Sequence, residues 1–511
     1  MEADLAEDLL RTLTRAHAIP GAQLTVLRAG RSLSLATGVR RTGVADPVTT
    51  ETAFALGSVT KAFTATLVGQ LVADGELEWD DPVADYVAEF DNAVDEAFSE
   101  ITLRHLLSHT GGLVADHETD DVAETSLARY TASVSAATRT LHRPGSCFSY
   151  ANSGYNILGR TVEAVTDMKW QAALANLVLR PLGIDPVFVH DAPGGQRALA
   201  QCHTVRPGEN RSATPVGLFL PPSWAPAGGL AGSADDLAAL ATLLLGTHPD
   251  AAELLPEEQR TEMCARTPEA DAFGMADAWG LGLAHHVSPD GVWLGHDGTV
   301  DGGTAHLRFR PADGTVVALT TNATTGTAMW AELVDALRER GVPVGDHRPL
   351  AATTPPLTAG PGRLDGDYRN GDTVFRVRTA ESGVPVLTDA TGLVADLTVH
   401  EDLTFTARRT DTDVAPYTGR FVTDRASGEI HLMQLGGRAA RRTAAPSPPP
   451  LRGRPGRGAR APTPGVRRPA SSPLLFFLFR RSRRLPAPCP ALPCPEAASL
   501  EVHTWFAPTR R

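Results

Sequence analysis

The sequence predicts an α/β (α+β) fold in which an antiparallel sheet is flanked by helices, followed by a small all-β module. Three observations lead to this prediction. Strand-like stretches stand at both ends of residues 1–345, helical patterns fill the middle, and short alternating runs resume after a Pro-, Thr- and Ala-rich linker at 346–361. With 511 residues, of which 42% are hydrophobic and 21% charged, the chain can build more than one buried core.

The first zone, residues 1–345, opens with a predicted β-hairpin. Ala22–Leu27 and Ser32–Ala36 alternate apolar and polar residues on either side of Ala29-Gly30. Helical spacing of apolar residues predicts a helix over Lys61–Leu77 and another over Ser233–Leu245, which begins at an N-cap serine. Four strand-like stretches separated by turn residues then follow, at Leu281–Val287, Val292–Leu294, Ala305–Phe309 and Val316–Thr321.

The remaining two zones differ sharply in composition. Residues 362–440 alternate apolar and polar residues in short runs, which predicts a small barrel or sandwich. Residues 441–511 hold 15 of the 39 prolines and 14 arginines. Such a segment buries too little apolar surface to offset chain entropy, so we expect a disordered Pro/Arg-rich tail. An out-of-frame translation of GC-rich DNA would have the same composition, and both interpretations stay open.

Charge and cysteine usage exclude several classes of partner. Residues 441–511 carry 14 Arg against 2 acidic residues, so the rest of the chain has a net charge of about −24 within a total of −12. An acidic body gives no reason to expect a nucleic-acid partner. The N-terminus lacks a signal-peptide pattern and no long apolar run occurs, so we expect a cytoplasmic protein without a membrane partner. The cysteine spacing indicates neither disulfides nor zinc, and no cofactor is expected.

The first chemical motif is Gly57-Ser58-Val59-Thr60-Lys61 at the start of a predicted helix. Residues three apart share one helix face, so Lys61 can act as the base that activates the Ser58 hydroxyl. This requires burial or neighbouring cations to lower the lysine pKa. Lys61 and Lys169 are the only lysines, against 45 arginines, which suggests that Lys61 does something arginine cannot do. Alone, the pattern also fits a capped helix with a surface lysine.

Two further motifs complete a candidate site. Tyr150 and Asn152 stand in Tyr-Ala-Asn before a predicted helix, where a phenol beside a lysine relays protons and an amide contacts substrate. His296-Asp297-Gly298-Thr299 follows later in the chain. If this segment is an edge strand beside Ser58, Gly298 allows close approach of substrate backbone. The N–H groups of Thr299 and Ser58 would then form an oxyanion hole. Each motif alone also fits an ordinary structural role.

Together, in this order and spacing, the motifs resemble the signature of serine β-lactamases and penicillin-binding proteins, specifically the class C β-lactamase and DD-peptidase branch. Leu103–Leu113 and Pro226–Leu230 match that branch as well. The resemblance implies a β-lactamase-like domain with a helical subdomain over roughly residues 5–340. It implies that Ser58 is the acylated nucleophile, with Lys61 as base and Tyr150 as proton shuttle. His105 and His109 are expected to be structural.

One departure from the branch concerns its third motif. The branch commonly has Lys-Thr-Gly where this sequence has His296-Asp297-Gly298. A titratable ring replaces a permanent cation, so a β-lactam carboxylate would be held less well and efficient β-lactam hydrolysis is not expected. Histidine at this position is typical of esterases, D-amino-acid amidases and biosynthetic acyltransferases of the superfamily.

The sequence further resembles the penicillin-binding-protein-type thioesterases, in Gly295–Gly303 and Thr320–Ala323 and in the β module after the catalytic zone. Those enzymes are cytoplasmic, carry a lipocalin-like C-terminal domain and release nonribosomal peptides from a peptidyl carrier protein. The resemblance implies a peptidyl thioester with a terminal D-residue that acylates Ser58, and macrolactam formation by the peptide's own amine. A hydrolase (esterase or D-aminopeptidase), an amide-forming transacylase and a non-catalytic peptide-binding relative stay open. An α/β-hydrolase is disfavoured because Ser58 lacks a G-x-S-x-G context.

Overall fold

A computed structural model describes residues 3–119, 125–190, 197–206, 211–347, 354–357, 361–410, 416–424 and 426–443. The predicted tail lies outside the described residues from position 444 onward, as do 348–353 and 358–360 of the predicted linker. Among the described residues, no helix combines the length and apolar composition needed to cross a membrane.

In chain order, the α-helices within these ranges are α1 (Ala3–Ala16), α2 (Thr60–Ala73), α3 (Leu103–Leu107), α4 (Leu127–Ala137), α5 (Asn152–Thr166), α6 (Trp170–Ala173), α7 (Ala225–Gly228), α8 (Ala234–Leu245), α9 (Ala251–Leu254), α10 (Glu257–Cys264) and α11 (Gly326–Glu339). The strands before the barrel are β1 (Gly21–Arg28), β2 (Arg31–Gly38), β3 (Phe54–Ala55), β4 (Val187–Phe188), β5 (His203–Val205), β6 (Ala213–Pro215), β7 (Leu230–Gly232), β8 (Ala278–Trp279), β9 (Ala284–Ser288), β10 (Gly291–Val300), β11 (Gly303–Arg310) and β12 (Thr315–Thr321).

An antiparallel sheet with strand order β2-β1-β12-β11-β10-β9-β8 organises the first zone and confirms the predicted fold class. The predicted hairpin is β1–β2, and β1 also pairs with β12 from the far end of the zone. Leu10 of α1, Trp293 of β10 and Leu333 of α11 share one buried core with the sheet. The sheet therefore joins segments nearly 300 residues apart, as the Gly21 N–H to Asn322 hydrogen bond across 301 positions illustrates.

Helix α2 differs from its prediction in both length and environment. It ends at Ala73 rather than Leu77, because Gly75 adopts φ +74° and turns the chain. The sequence pattern suggested one buried face, but the residues from Thr60 to Leu71 are all buried. A helix that is apolar or small on every side packs in the interior, with neighbours all round. Its first turn is consequently shielded from water.

Strand β10 also runs further than predicted. It extends to Val300, so His296, Gly298 and Thr299 lie on a regular strand paired with β11. Its other neighbour, β9, pairs with β10 only as far as Gly295. Beyond that point one edge of β10 is not covered by β9. The predicted strand at Leu281–Val287 begins only at Ala284, since Gly282 bends the chain with φ +83°.

The second zone is a closed antiparallel barrel whose strands follow chain order. The strands are β13 (Gly366–Asn370), β14 (Thr373–Thr379), β15 (Pro385–Thr388), β16 (Val394–Val399), β17 (Thr404–Arg409), β18 (Tyr417–Thr423), β19 (Ile430–Leu435) and β20 (Arg438–Thr443). Pairing of β13 with β20 closes the barrel. Strand β20 therefore runs past the predicted zone boundary at residue 440. Of the two predicted alternatives, barrel and sandwich, the barrel is correct.

Side chains fill the barrel interior. The Phe421 ring lies 5.6 Å from the Tyr368 ring and 5.0 Å from the Phe405 ring, and all three side chains are buried. Gly419 lies against this cluster, because a Cβ there would lie 2.2 Å from the Phe405 ring and 2.6 Å from the carbonyl oxygen of Gln434. The barrel is therefore a packed core rather than an open cup at this level.

Gly419→Ala tests this packing. The new methyl meets backbone as well as a ring, so relief requires the strands to move, and overpacking of this kind costs about 1–3 kcal/mol. Chemical unfolding of the full chain should show a lower free energy of unfolding by that amount. Gly217→Ala, where a Cβ meets nothing within 4 Å, is the matched control and should leave stability unchanged. Equal stability of the two variants would contradict a filled interior.

Candidate active site

Ser58 occupies a short helical turn, Gly57–Val59, between β3 and α2. Gly57 and Val59 are buried, whereas the Ser58 side chain remains partly accessible. Gly57 has φ +52°, and a Cβ there would lie 2.8 Å from the backbone nitrogen of Thr299. Glycine adopts this conformation most readily, and any side chain would clash with the Thr299 backbone. The turn is thus pressed against the uncovered edge of β10, with Ser58 at the accessible point.

Lys61 lies one helical turn beyond Ser58 and is fully buried. Its Nζ donates a hydrogen bond to Ser58 Oγ at 3.1 Å and another to the carbonyl oxygen of Ala227 at 2.7 Å. Burial lowers the pKa of Lys61 well below its usual value; Asp116 opposes this shift and Arg438 adds to it. Lys61 therefore loses its proton more readily than an exposed lysine, which suits it to accept the Ser58 proton.

Tyr150 completes the reactive cluster. Its ring centroid lies 5.0 Å from Lys61 Nζ, and its side chain hydrogen-bonds with that of Ser58. Burial raises the pKa of Tyr150 above its usual value, and the Ser58 hydrogen bond only partly offsets this. The phenol thus stays protonated over the range in which Lys61 loses its proton. These opposite directions favour Lys61 as the base and Tyr150 as a proton donor.

Asn152 is the first residue of α5, so it begins the helix that the sequence pattern placed after it. Its side chain is 4% exposed and donates through Nδ2 to Asp116 Oδ1 at 2.7 Å. The amide is therefore held in one orientation. Its role as a contact for the substrate amide stays a prediction.

His296 reaches the same cluster from β10. Its ring lies 6.3 Å from that of Tyr150 and 5.3 Å from that of Trp279, and it is 2% exposed. The Nδ1 atom lies 2.7 Å from the Asp297 carbonyl oxygen, to which it donates when protonated at that position. Burial, followed by the nearby Lys61, lowers the pKa of His296 to about 3. The ring is therefore neutral at physiological pH and does not replace a cation.

Gly298 and Thr299 place the strand backbone beside the Ser58 turn. A Cβ on Gly298 would lie 1.9 Å from the Leu56 carbonyl oxygen and 3.0 Å from the Val59 nitrogen, so no side chain fits. Thr299 pairs with Thr304 on β11, and its nitrogen faces Gly57. The backbones of Ser58 and Thr299 are thus brought together, as an oxyanion hole built from their N–H groups requires.

Asp297, the residue between His296 and Gly298, has a different environment. Arg308 donates to both of its carboxylate oxygens, at 2.9 and 2.8 Å, and His306 lies 2.7 Å from Oδ1. Arg308 is buried and also pairs with Asp346 at 2.6 Å. This ion cluster ties β10 to β11 and to the start of the predicted linker at Asp346, so Asp297 helps to hold the strand.

Two residues that the sequence motifs did not identify also belong to the cluster. Asp116 and Arg438 pair at 3.0 Å across 322 positions, and both act on the Lys61 pKa. Asp116 closely follows the matching stretch Leu103–Leu113, which could have drawn attention to it. Arg438 is one of many arginines and lies in the barrel, so nothing in the linear pattern marks it.

The two histidines expected to be structural take different positions. His105 caps α3 by accepting the Thr102 N–H at 3.2 Å. His109 lies next to the reactive cluster, with its ring 4.2 Å from that of Tyr150, and its Nδ1 accepts the Ala151 N–H at 3.1 Å. Among the described residues, no group of three or more His, Cys, Asp or Glu side chains could hold a metal ion.

Comparison with known proteins confirms the resemblance to serine β-lactamases and penicillin-binding proteins. The beta-lactamase family model matches residues 6–341. Penicillin-binding protein 4 of Amycolatopsis lactamdurans is 35% identical over 332 residues, covering 64% of this chain and 86% of that protein. The unguisins hydrolase ungD' of Aspergillus campestris is 29% identical over 358 residues, covering 66% of this chain and 65% of the relative, just under two thirds of its length.

Among solved structures, that of SurE has 40% sequence identity and a TM-score of 0.79, and the match covers 86% of this chain and 99% of that one. A structure of SurE with D-Leu has 39% identity and a TM-score of 0.77, with the same coverage. The match is too long to be confined to the first zone, so it includes the barrel as well as the catalytic zone.

Lys61→Arg tests the need for a neutral amine. Arginine keeps the positive charge but cannot lose a proton, so phosphonylation of Ser58 by a fluorophosphonate, in which Oγ bonds to phosphorus and fluoride leaves, should fall by about 1,000-fold or more. Mass spectrometry of the Ser58 adduct measures this rate. Lys169→Arg is the matched control, since the Lys169 side chain is 75% exposed, and should react at the parent rate. A Lys61→Arg variant as reactive as this control would exclude Lys61 as the base.

His296→Gln tests whether the ring acts as a neutral group. Because the pKa of His296 is lowered to about 3, a neutral hydrogen-bonding side chain should substitute with a loss of less than about tenfold in Ser58 acylation. When the acylation rate is plotted against pH from 5 to 8, the parent should show no change in rate that is missing from the variant. A step near pH 6.5 that the substitution removes would show that His296 works as a cation.

Proposed function

The chain belongs to the beta-lactamase family of serine hydrolases and acyltransferases, and we propose that it is a trans-acting thioesterase that releases and macrocyclises a nonribosomal peptide. The observation that carries the acyl-transfer chemistry is the buried Lys61 amine, 3.1 Å from the Ser58 hydroxyl. Two features support the peptide assignment: the match to SurE across both zones and the D-Leu bound in a structure of that protein.

Acylation begins when the neutral Lys61 amine accepts the Ser58 proton and Oγ attacks the thioester carbonyl carbon. The new C–O bond places negative charge on the carbonyl oxygen, which the N–H groups of Ser58 and Thr299 stabilise. Collapse of this intermediate breaks the C–S bond and leaves the peptide on Ser58. The thiolate takes a proton from Tyr150, which regains one from the protonated Lys61, so the carrier thiol leaves neutral.

Cyclisation resolves the ester without water. The peptide's own amine attacks the acyl carbon, an amide bond forms, and the C–O bond to Ser58 breaks. The proton released by the amine returns to Ser58 Oγ through Lys61 and Tyr150. Asn152 orients the peptide amide next to the ester, which places the D-residue for attack. The donor would be presented by a peptidyl carrier protein, and the reaction would therefore be cytoplasmic.

The neutral His296 argues against a β-lactam as the natural donor. A β-lactam carboxylate gains most from a permanent cation at this position. The neutral His296 ring donates its one N–H to the Asp297 carbonyl, which leaves Nε2 as an acceptor with nothing to donate to a carboxylate. A peptidyl thioester has no such carboxylate, because its terminal carboxyl is the acyl group itself. The site chemistry therefore favours the thioester over the β-lactam.

A hydrolase is the second candidate function. The same acyl-Ser58 intermediate gives a free acid when water attacks, and the relative from Aspergillus campestris is named an unguisins hydrolase. Esters and peptides with a D-residue would be its substrates. The two functions differ only in the nucleophile that resolves the ester.

A linear peptidyl N-acetylcysteamine thioester with a terminal D-residue separates these functions. We expect a product lighter than the substrate by the thiol alone, with no water gained, as measured by mass spectrometry. The same peptide ending in the L-residue should react at least about tenfold more slowly. Ser58→Ala should lower the rate by about 1,000-fold or more. Free acid as the sole product would establish the hydrolase instead, and an inert thioester beside a fluorophosphonate-labelled Ser58 would reject a thioesterase.

A further inference from the structure

The turn between β19 and β20 of the barrel lies against the segment that carries Tyr150. Gly436 and Gly437 form this turn with φ values of 56° and 76°, which only glycine adopts readily. The Gly437 carbonyl accepts the Tyr150 N–H at 2.9 Å, and the Ala439 N–H donates to Ser149 Oγ at 3.1 Å. The barrel backbone thus holds the main chain at the reactive tyrosine.

A second contact extends this attachment by one residue. Gln434 of β19 is fully buried and donates through Nε2 to the Phe148 carbonyl at 2.7 Å. Three consecutive residues, Phe148 to Tyr150, are therefore each tied to the barrel. On the opposite side, His109 accepts the N–H of Ala151. The segment from Phe148 to Ala151 is therefore held on one side by the barrel and on the other by His109 of its own zone.

Arg438 connects the same turn to Asn152. Its Nη1 donates to Asp116 Oδ2 at 3.0 Å, and Asp116 Oδ1 accepts from Asn152 Nδ2 at 2.7 Å. The guanidinium also lies 5.9 Å from the Tyr150 ring centroid. Because the Asn152 NH₂ group donates to Asp116, the amide oxygen of Asn152 points away from that carboxylate. The orientation of Asn152 therefore depends on a residue of the barrel.

We propose that the barrel turn is a structural part of the active site and that Arg438 is a positioning residue, which fixes Asn152 through Asp116 while the turn holds Tyr150. The proposal rests on the acyl-Ser58 chemistry of the proposed function but not on the identity of the acyl donor. The filled barrel interior agrees with this role, since the module acts through its outer surface.

Charge around Lys61 provides a signature that a purely structural contact would lack. The titratable groups facing Lys61 are Asp116 of the segment after α3, Arg438 of the barrel, and four others that are neutral at moderate pH: His109, Tyr150, Tyr155 and His296. Asp116 raises the pKa of Lys61 and Arg438 lowers it. Removing Arg438 should raise that pKa, and removing the Asp116 charge should lower it.

Four variants of the full chain test the proposal: Arg438→Gln, Arg438→Lys, Asp116→Asn and Arg441→Gln. Arg441 is the matched control, because it lies on the same strand and contacts Thr140 of the catalytic zone but none of the site residues. The rate of Ser58 phosphonylation by a fluorophosphonate is measured from pH 5 to 10. Acylation by an N-acyl-D-residue thioester, whose amide can meet Asn152, is measured in parallel.

In Arg438→Gln, the rate of Ser58 reaction with the fluorophosphonate should begin to rise at a higher pH than in the parent. Acylation of Ser58 by the thioester should be about 10- to 100-fold slower. Asp116→Asn should move the fluorophosphonate profile to lower pH. Arg438→Lys should keep the parent profile but recover the thioester rate only in part, since lysine lacks the planar guanidinium. Arg441→Gln should match the parent in both assays.

The proposal would be overturned if Arg438→Gln had the same rates and the same pH dependence as the parent. It would also be overturned if Arg438→Gln and Asp116→Asn were both slower but their fluorophosphonate pH profiles did not shift in opposite directions. If Arg438→Gln does not fold, either a full parent thioester rate in Arg438→Lys or a fluorophosphonate profile in Asp116→Asn that is not shifted to lower pH would overturn the proposal. A failed thioester assay with opposite fluorophosphonate shifts would reject the thioesterase function and leave Arg438 as a positioning residue.

Discussion

The buried Lys61 amine is the interaction on which the site depends. An ammonium group is costly to bury, so the protein must either stabilise the charge or accept the neutral form. Here burial prevails, and the amine is held between the Ser58 hydroxyl and the Ala227 carbonyl. That arrangement requires α2 to be enclosed on all sides, which explains why its apolar and small residues do not form a single stripe. The interior position of the helix is therefore part of the chemistry.

The same buried environment determines the protonation state of His296 on β10. With Lys61 nearby and the ring almost fully buried, imidazolium is disfavoured, so the departure from Lys-Thr-Gly removes a cation rather than exchanging one for another. The aspartate of this motif turns to Arg308 and His306 and stabilises the strand. The His-Asp-Gly motif thus combines a neutral polar group at the site with an ion cluster that holds β10 in place.

The contacts of the barrel with the Tyr150 segment explain why the barrel accompanies the catalytic zone. Its interior is occupied by aromatic side chains, and its β19–β20 turn contacts the Tyr150 segment. The closest contacts between the zones therefore include the main chain next to a reactive residue. A packed module is well suited to this, because it presents a turn with little conformational freedom.

Local sequence patterns were enough to predict much of the fold and part of the candidate site. The α/β class, the first hairpin and the Ser58–Lys61 pair follow from periodicity and helix spacing, which depend on residues near one another in sequence. The burial that lowers the Lys61 pKa, the neutral state of His296 and the uncovered edge of β10 beyond Gly295 follow from packing of distant segments. In the Arg438–Asp116–Asn152 chain the arginine has no linear signal, because it lies 322 positions from its partner. Residue types and short spacings thus determined which groups could react, while the tertiary structure decided their protonation and orientation, since both depend on neighbours that only folding brings together.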